Sequence, residues 1–241
     1  MPHTLFISDL HLCSNQPAIT AAFERFAAHQ APAAEAVYIL GDLFEYWAGD
    51  DDLDTPFHQT LIRALRRISD GGTRLFLLHG NRDLLMGERL AEACGGQLLS
   101  DPVRIELYGK SALLSHGDAL CTDDRDYQTF RAQVRQPQWQ KQFLAQPLAE
   151  RKAYIEQLRA RSENEKQHKH TAIMDVNAEA VAALLREQHF PRLFIHGHTH
   201  RPNRHVYHLD GHTCERWVLG DWSDTGYALR CDAAGCTVLK V

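Results

Sequence analysis

The sequence predicts an α/β sandwich carrying a helical insertion, and three observations predict it. Apolar runs of strand length alternate with segments of helical period through the first half of the chain. Five such runs stop at an Asp, Asn or His, soon after the last apolar residue. From about Asp123 to Asn177 the alternation gives way to helical pattern alone.

Thr4–Ile7 reads as the first strand, and Pro17–His29 as a helix with Ile19, Phe23 and Phe26 on one face. Val37–Leu40 is the next strand. Thr55 and Pro56 open a helix that runs to about Ser69, with Thr55 as its cap and Pro56 as its first residue. Gly71-Gly72 ends it. Leu75–Leu78 is a strand, and Leu84–Cys94 a short helix closed by Gly95-Gly96. Val103–Leu107 and Ser111–Ser115 alternate around Tyr108-Gly109-Lys110, which reads as a hairpin. After the insertion come a helix at about Asn177–Gln188 and a strand at Leu193–Ile195. Cys214–Leu219, Gly226–Arg230 and Thr237–Val241 read as antiparallel strands.

The insertion, residues 123–177, has Tyr127, Phe130, Val134, Leu148, Tyr154, Ile155 and Leu158 as apolar positions and Pro137 and Pro147 as breaks. It reads as a helical cap within one domain, residues 1–241, without a core of its own. Arg151, Lys152, Arg159, Arg161, Lys166 and Lys169 give it a basic run. That run has two readings: contact with anionic lipid head groups, or a solvated helix face.

Composition places the chain among ordinary globular proteins: 241 residues, 44% hydrophobic and 24% charged. A net charge of −5 argues against nucleic-acid binding by the surface at large. No apolar run reaches the roughly 18 residues of a membrane span. The N-terminus shows no signal peptide, and the six cysteines form no CxxC pair, so reduced thiols in a cytoplasmic setting are expected.

The runs Thr4–Ile7, Val37–Leu40, Leu75–Leu78, Ala112–Leu114 and Leu193–Ile195 lead into Asp9-Leu10-His11, Gly41-Asp42, Gly80-Asn81-Arg82-Asp83, His116-Gly117-Asp118 and His196-Gly197-His198-Thr199-His200. A buried strand that stops at such a residue delivers its side chain to the carboxyl edge of a sheet, where α/β folds bind ligands. Singly, each motif has an ordinary structural explanation, such as a turn or a strand end. Together they form a cluster of carboxylate, imidazole and amide donors. That set suits a pair of divalent transition metals and the hydrolysis of a phosphate ester or anhydride.

The series D-x-H, G-D, G-N-R-D, H-G-D, G-H-T-H resembles the calcineurin-like metallophosphoesterase superfamily. The resemblance implies a four-layer α/β/β/α sandwich. It implies that Asp9, His11, Asp42 and His200 hold one metal, that Asp42, Asn81, His116 and His198 hold the other, and that Asp42 bridges them. His196 falls outside this set and reads as structural or supporting. Arg82, beside Asn81, is expected to clamp a phosphate oxygen. Asp83 is expected to orient a neighbouring His or Arg. Asp118 either does the same or ends a turn.

A narrower resemblance rests on Gly41-Asp42-Leu43-Phe44-Glu45-Tyr46-Trp47-Ala48-Gly49-Asp50-Asp51, on His116-Gly117-Asp118 followed by Cys121-Thr122-Asp123-Asp124 and Tyr127-Gln128, on Ala172–Asn177, and on Leu219-Gly220-Asp221-Trp222. These segments resemble the UDP-2,3-diacylglucosamine pyrophosphatases of the Gram-negative lipid A pathway. The resemblance implies water attack on the α-phosphorus, release of UMP and 2,3-diacylglucosamine 1-phosphate, and two Mn²⁺ per chain. It implies catalytic roles for Asp42, Asn81, Arg82 and His116, and substrate contacts from Asn81, Arg82, Asp124, Ser162, Lys166, Lys169 and His198. It also implies peripheral attachment to the cytoplasmic face of the inner membrane, with no nucleic acid and no obligate protein partner. The alternatives are a phosphodiesterase or phosphatase of other specificity, and a non-catalytic scaffold of the same fold.

Overall fold

The computed structural model describes residues 1–166, 175–223 and 225–241, with side chains omitted from 163 to 166. In chain order the first half contains β1 (Thr4–Ile7), α1 (Pro17–His29), β2 (Ala36–Leu40), α2 (Pro56–Asp70), β3 (Arg74–Leu78), α3 (Glu88–Cys94), β4 (Gly96–Leu98), β5 (Val103–Leu107) and β6 (Lys110–Ser115). The cap contributes α4 (Arg125–Val134), α5 (Pro137–Leu144) and α6 (Leu148–Lys166). The chain continues with α7 (Ala178–Glu187), β7 (Leu193–His196), β8 (Asn203–Leu209), β9 (His212–Val218), β10 (Tyr227–Asp232) and β11 (Gly235–Lys240).

Two sheets result, a six-stranded one ordered β11-β10-β1-β2-β3-β4 and a five-stranded one ordered β5-β6-β7-β9-β8. The pleat sorts their residues into layers. From β1, β2 and β3, Leu5, Ile7, Val37, Ile39, Leu75 and Leu77 pack with Phe23 and Phe26 of α1 and with Leu61 and Leu65 of α2. Phe6, Tyr38 and Leu40 point the other way, onto Ala112, Leu114 and Ile195 of the second sheet. That sheet's outer face, Leu113 and Phe194, is covered by Val181 and Leu185 of α7. The order is helices, sheet, sheet, helix. Phe143 of α5 joins the first of these clusters, with Trp139 and Ile155 packed against it, so this part of the cap shares the main core.

Several sequence expectations change. The helix expected over Leu84–Cys94 begins at Glu88, because the Asp50 carboxylate accepts the backbone N–H groups of Gly87 (2.9 Å) and Leu90 (3.1 Å). Thr55 makes no side-chain cap; its hydroxyl donates to the Asp52 carbonyl. Strands β4 and β8 were not expected. Strand β9 pairs antiparallel with β8 and parallel with β7. The expected hairpin holds, with Tyr108 and Gly109 both at positive φ, as a tight turn between right-twisted strands requires. Cys231 and Cys236, expected as free thiols, face each other across β10 and β11 with Cα atoms 4.1 Å apart and are joined as a disulfide. Cys13, Cys94, Cys121 and Cys214 take no part in a disulfide.

Candidate metal centre

Strands β1, β2 and β3 run parallel in one sheet, and β6 and β7 parallel in the other. Their carboxyl ends meet at one end of the seam between the sheets. Backbone bonds stitch the loops that follow: Asp9 N–H to the Gly41 carbonyl (3.2 Å), His11 N–H to Asp42 (3.0 Å) and Gly197 N–H to His116 (2.9 Å). A Cβ on Gly41 would lie 2.6 Å from the Gly80 nitrogen and 2.7 Å from the His116 ring, so only glycine fits between them. Asp9, His11, Asp42, His198 and His200 all sit at φ between 50° and 68°. Left-handed backbone at non-glycine residues costs of order 1 kcal/mol or more each, and it clusters at functional sites.

The sequence-selected donors fall into two groups, Asp9 with His11 and His200, and Asp42 with His116 and His198. Within each group the candidate ligand atoms lie within 4.8 Å of one another. The Nε2 atoms of His11 and His200 are 3.3 Å apart. Asp42 faces both groups: Oδ2 lies 3.9 Å from His11 Nε2, and Oδ1 lies 3.7 Å from His116 Nε2. Asn81 Oδ1 lies 3.0 Å from His116 Nε2, which adds the amide to the second group. Carboxylate, imidazole and amide donors crowded at these distances fit divalent transition ions.

Three of these rings turn Nε2 inward and have an acceptor beside Nδ1. His116 Nδ1 meets the Leu40 carbonyl at 2.9 Å, His11 Nδ1 lies 3.4 Å from Glu45, and His200 Nδ1 lies 3.5 Å from Asp221. An acceptor at Nδ1 leaves Nε2 free to ligate. Burial pulls His11 and His198 down to about 3, so both rings are neutral ligands near neutral pH. Burial pushes Asp42 up to about 7, with the Asp83 and Asp9 carboxylates adding to the rise. Burial also opposes charge on His116, but Asp42, Asp9 and Asp118 outweigh it and push that ring up to about 9.

One neighbouring residue, Asp83, differs from expectation, and another, Asp118, follows one of its two expected roles by holding Arg131 and Arg135. Among the described residues Asp83 bonds to no His or Arg; it is fully buried and accepts the backbone N–H groups of Gly80 (2.8 Å), Leu43 (2.8 Å), Asp42 (3.3 Å) and Phe44 (3.4 Å). It pins the Asp42 loop to the Asn81 loop. Asp118 does more than end a turn: it accepts from Tyr127 Oη (2.7 Å), Arg131 Nε (2.8 Å) and Arg135 Nη2 (3.3 Å), anchoring α4. The Tyr127 ring in turn stacks on His198, with centroids 5.9 Å apart. His196 is buried and lies 3.3 Å from Arg216, and it belongs to neither donor group.

Beside the donors opens a cavity of about 540 Å³. His11, Asp42, Asn81, His198 and His200 line one part, and Arg82, Asp124 and Ser162 also face it. The remaining wall is largely apolar: Trp47, Leu84, Leu85, Phe130, Val134, Trp139, Phe143 and Leu158. Asp124 also caps α4, accepting the Tyr127 N–H at 3.2 Å. Lys169 lies outside the described residues, as does the side chain of Lys166.

The basic run is neither a free lipid-facing patch nor a solvated face over its first half. Arg151 is 1% exposed, donates to the Ala48 and Gln146 carbonyls, and pairs with Asp51. Lys152 pairs with the buried Asp52 at 2.6 Å, and Arg159 pairs with Glu45. These cations dock α6 onto the loop after β2. Glu45 and Asp221 lie within the sequence motifs, which assign them no role. Their places beside His11 and His200 depend on loop packing, which residue spacing does not reveal.

The profile of calcineurin-like phosphoesterases matches residues 2–202. The chain is 55% identical to the UDP-2,3-diacylglucosamine hydrolase of Aromatoleum aromaticum, across 96% of this chain and 94% of that one. It is 51% identical to the Aeromonas hydrophila protein of the same name, across 95% and 94%. A protein of that name from Escherichia coli O81 is 48% identical, across 95% of each chain.

Proposed function

The chain belongs to the calcineurin-like phosphoesterase family, and from that premise we propose that it hydrolyses the pyrophosphate bond of UDP-2,3-diacylglucosamine in lipid A biosynthesis. The products are UMP and 2,3-diacylglucosamine 1-phosphate. The observation that carries this reading is one cavity lined by two kinds of side chain: metal-type donors with Arg82, and aromatic and aliphatic residues. An anhydride joined to acyl chains needs both. The relatives named for this substrate support it.

In this proposal Asp9, His11, Asp42 and His200 would hold one Mn²⁺, and Asp42, Asn81, His116 and His198 would hold the other. When bound, such a pair supplies a nucleophile from water at neutral pH and neutralises charge on the phosphate oxygens. The two Asp42 oxygens already face the separate groups, as a bridging carboxylate must. Arg82 lines the cavity and binds an α-phosphate oxygen through its forked donors. Attack at the α-phosphorus breaks its bond to the bridging oxygen, and the electron pair leaves on the sugar 1-phosphate. That leaving group is a stable phosphate anion, so none of these residues has to protonate it. Asp124 accepts hydrogen bonds from the sugar or its amides. Ser162 faces the same space, and Lys166 and Lys169 join the contacts by family position. Trp47, Phe130, Trp139 and Phe143 line the path of the acyl chains, each buried methylene contributing about 0.8 kcal/mol.

Among the described residues no helix is long and apolar enough to cross a membrane. Peripheral attachment to the cytoplasmic face of the inner membrane is part of the proposal. Arg151, Lys152 and Arg159 are engaged with the core, so they do not carry it. Leu144 and Tyr154, each 41% exposed on the cap, offer the apolar contact instead.

The test is incubation with UDP-2,3-diacylglucosamine and Mn²⁺, with and without chelator, following UMP. Chelator-sensitive release is expected. Cleavage of bis-p-nitrophenyl phosphate without UMP release would retain the metal centre and overturn the substrate.

A further inference from the structure

Glu45 stands where three functions meet. Its Oε2 lies 3.4 Å from His11 Nδ1. Its Oε1 lies 3.5 Å from Arg82 Nη1 and pairs with Arg159 of α6. The side chain is largely buried, with 13% exposed. Backbone ladders deliver it there: Leu12 N–H donates to Leu43 (2.9 Å), Glu45 N–H donates to Leu12 (3.1 Å), and Leu12 and Phe44 form an isolated parallel bridge. The loop after β1 and the loop after β2 are therefore locked in register, which brings the Glu45 carboxylate beside His11.

The His11 ring supplies the chemical reason. Its Nε2 faces His200 Nε2 and Asp42, so Nε2 is the ligating atom. A neutral imidazole that ligates through Nε2 carries its proton on Nδ1. That nitrogen is buried and makes no well-aligned hydrogen bond in the structure, with the Glu45 carboxylate 3.4 Å away. Glu45 is the carboxylate beside it. Such outer carboxylates hold the ring's tautomer and direction, and their loss weakens metal affinity by about 10–100-fold.

We infer that Glu45 is a positioning residue that aims His11 at its ion while holding Arg82 toward the phosphate and Arg159 of the cap onto the core. One carboxylate thereby ties the first metal group, the phosphate clamp and the cap together. The inference rests on the function proposed above, but its main readout does not need the substrate.

The experiment compares full-length wild type, Glu45→Gln and Arg159→Gln. Mn²⁺ binding is titrated by calorimetry and by loss of the free-ion paramagnetic resonance signal. KM and kcat for UDP-2,3-diacylglucosamine are measured at saturating Mn²⁺, and thermal melts in chelator confirm folding. Glu45→Gln should weaken one of the two Mn²⁺ sites by about 10–100-fold, leave the other as in wild type, and raise KM. Arg159→Gln should raise KM and leave both Mn²⁺ affinities unchanged. Unaltered Mn²⁺ affinities in Glu45→Gln would overturn the inference. So would an equal loss of affinity in Arg159→Gln, since the site would then be responding to cap docking. If Glu45→Gln melts well below wild type, Glu45→Asp takes its place and should keep more affinity than Glu45→Ala; equal affinities would overturn the inference. A wild type that takes up two ions but releases no UMP would overturn the substrate reading alone.

Discussion

Replacing Arg151 with methionine keeps most of the side-chain volume and removes only its polar contacts. In the structure the guanidinium donates to the Ala48 carbonyl at 2.5 Å and the Gln146 carbonyl at 3.0 Å. Hydrogen bonds to a charged partner contribute about 1.5–3 kcal/mol each. The Asp51 pair adds about 1 kcal/mol at most, because that carboxylate is 52% exposed. Against this stands the cost of burying the guanidinium, which the variant no longer bears. The balance is a loss of about 3 kcal/mol. For a chain of 241 residues that corresponds to a fall in Tm of roughly 6–12 °C. Circular dichroism melts in matched buffer measure it. A variant melting within about 1 °C of wild type would refute the reasoning that this arginine docks the cap. It would also restore the lipid-facing reading of the basic run.

Asp42→Ala removes the carboxylate that faces both donor groups and should abolish turnover while the fold persists; retained activity in metal-replete buffer would end the two-metal proposal. Arg82→Ala should lower the rate by about 10²–10³-fold without loss of bound metal, checked by elemental analysis beside kinetics. Asp118→Asn tests the cap anchor by its pH dependence. Burial alone would raise Asp118, but His116, Arg135 and Arg131 outweigh it and hold the carboxyl far below its ordinary range. A carboxyl lowered in the folded state stabilises the protein above its unfolded value near 4, and that contribution is lost as pH falls below it. The variant should therefore lose about 3 kcal/mol at pH 7 by urea unfolding, with the gap to wild type closing below about pH 4.

The parts legible in the sequence share one physical property. A central parallel strand is apolar on both faces, so β1, β2, β3 and β7 announce themselves as runs, and the polar residue after each is conspicuous. Strand β8 has no such signature: it lies at a sheet edge with Asn203, Arg204 and Val206 exposed, and its polar residues hide the alternation. Strand β4 is only Gly96–Leu98, and its glycine reads as a helix stop. Arg151 and Asp83 find most of their partners, among them the Ala48 carbonyl and the Leu43 N–H, far along the chain, where spacing gives no signal. A charge run looks solvated until its acceptors are located. Cys231 and Cys236 form no recognisable pair by sequence spacing, yet a two-residue hairpin turn places them directly opposite.

The donors come from both sheets. Asp9, His11, Asp42 and Asn81 follow strands of the first, and His116, His198 and His200 follow strands of the second. His11 and His200, whose Nε2 atoms nearly touch, are 189 residues apart along the chain. An ion therefore has no complete nest in a partly folded chain. It can be captured only once the two sheets have docked, and it then acts as a clasp across their seam. Because it favours the finished state alone, cation held at 100 times its dissociation constant would deepen stability by about 2.7 kcal/mol. Metal supply would thus govern how long the assembled sandwich survives as well as how fast it works.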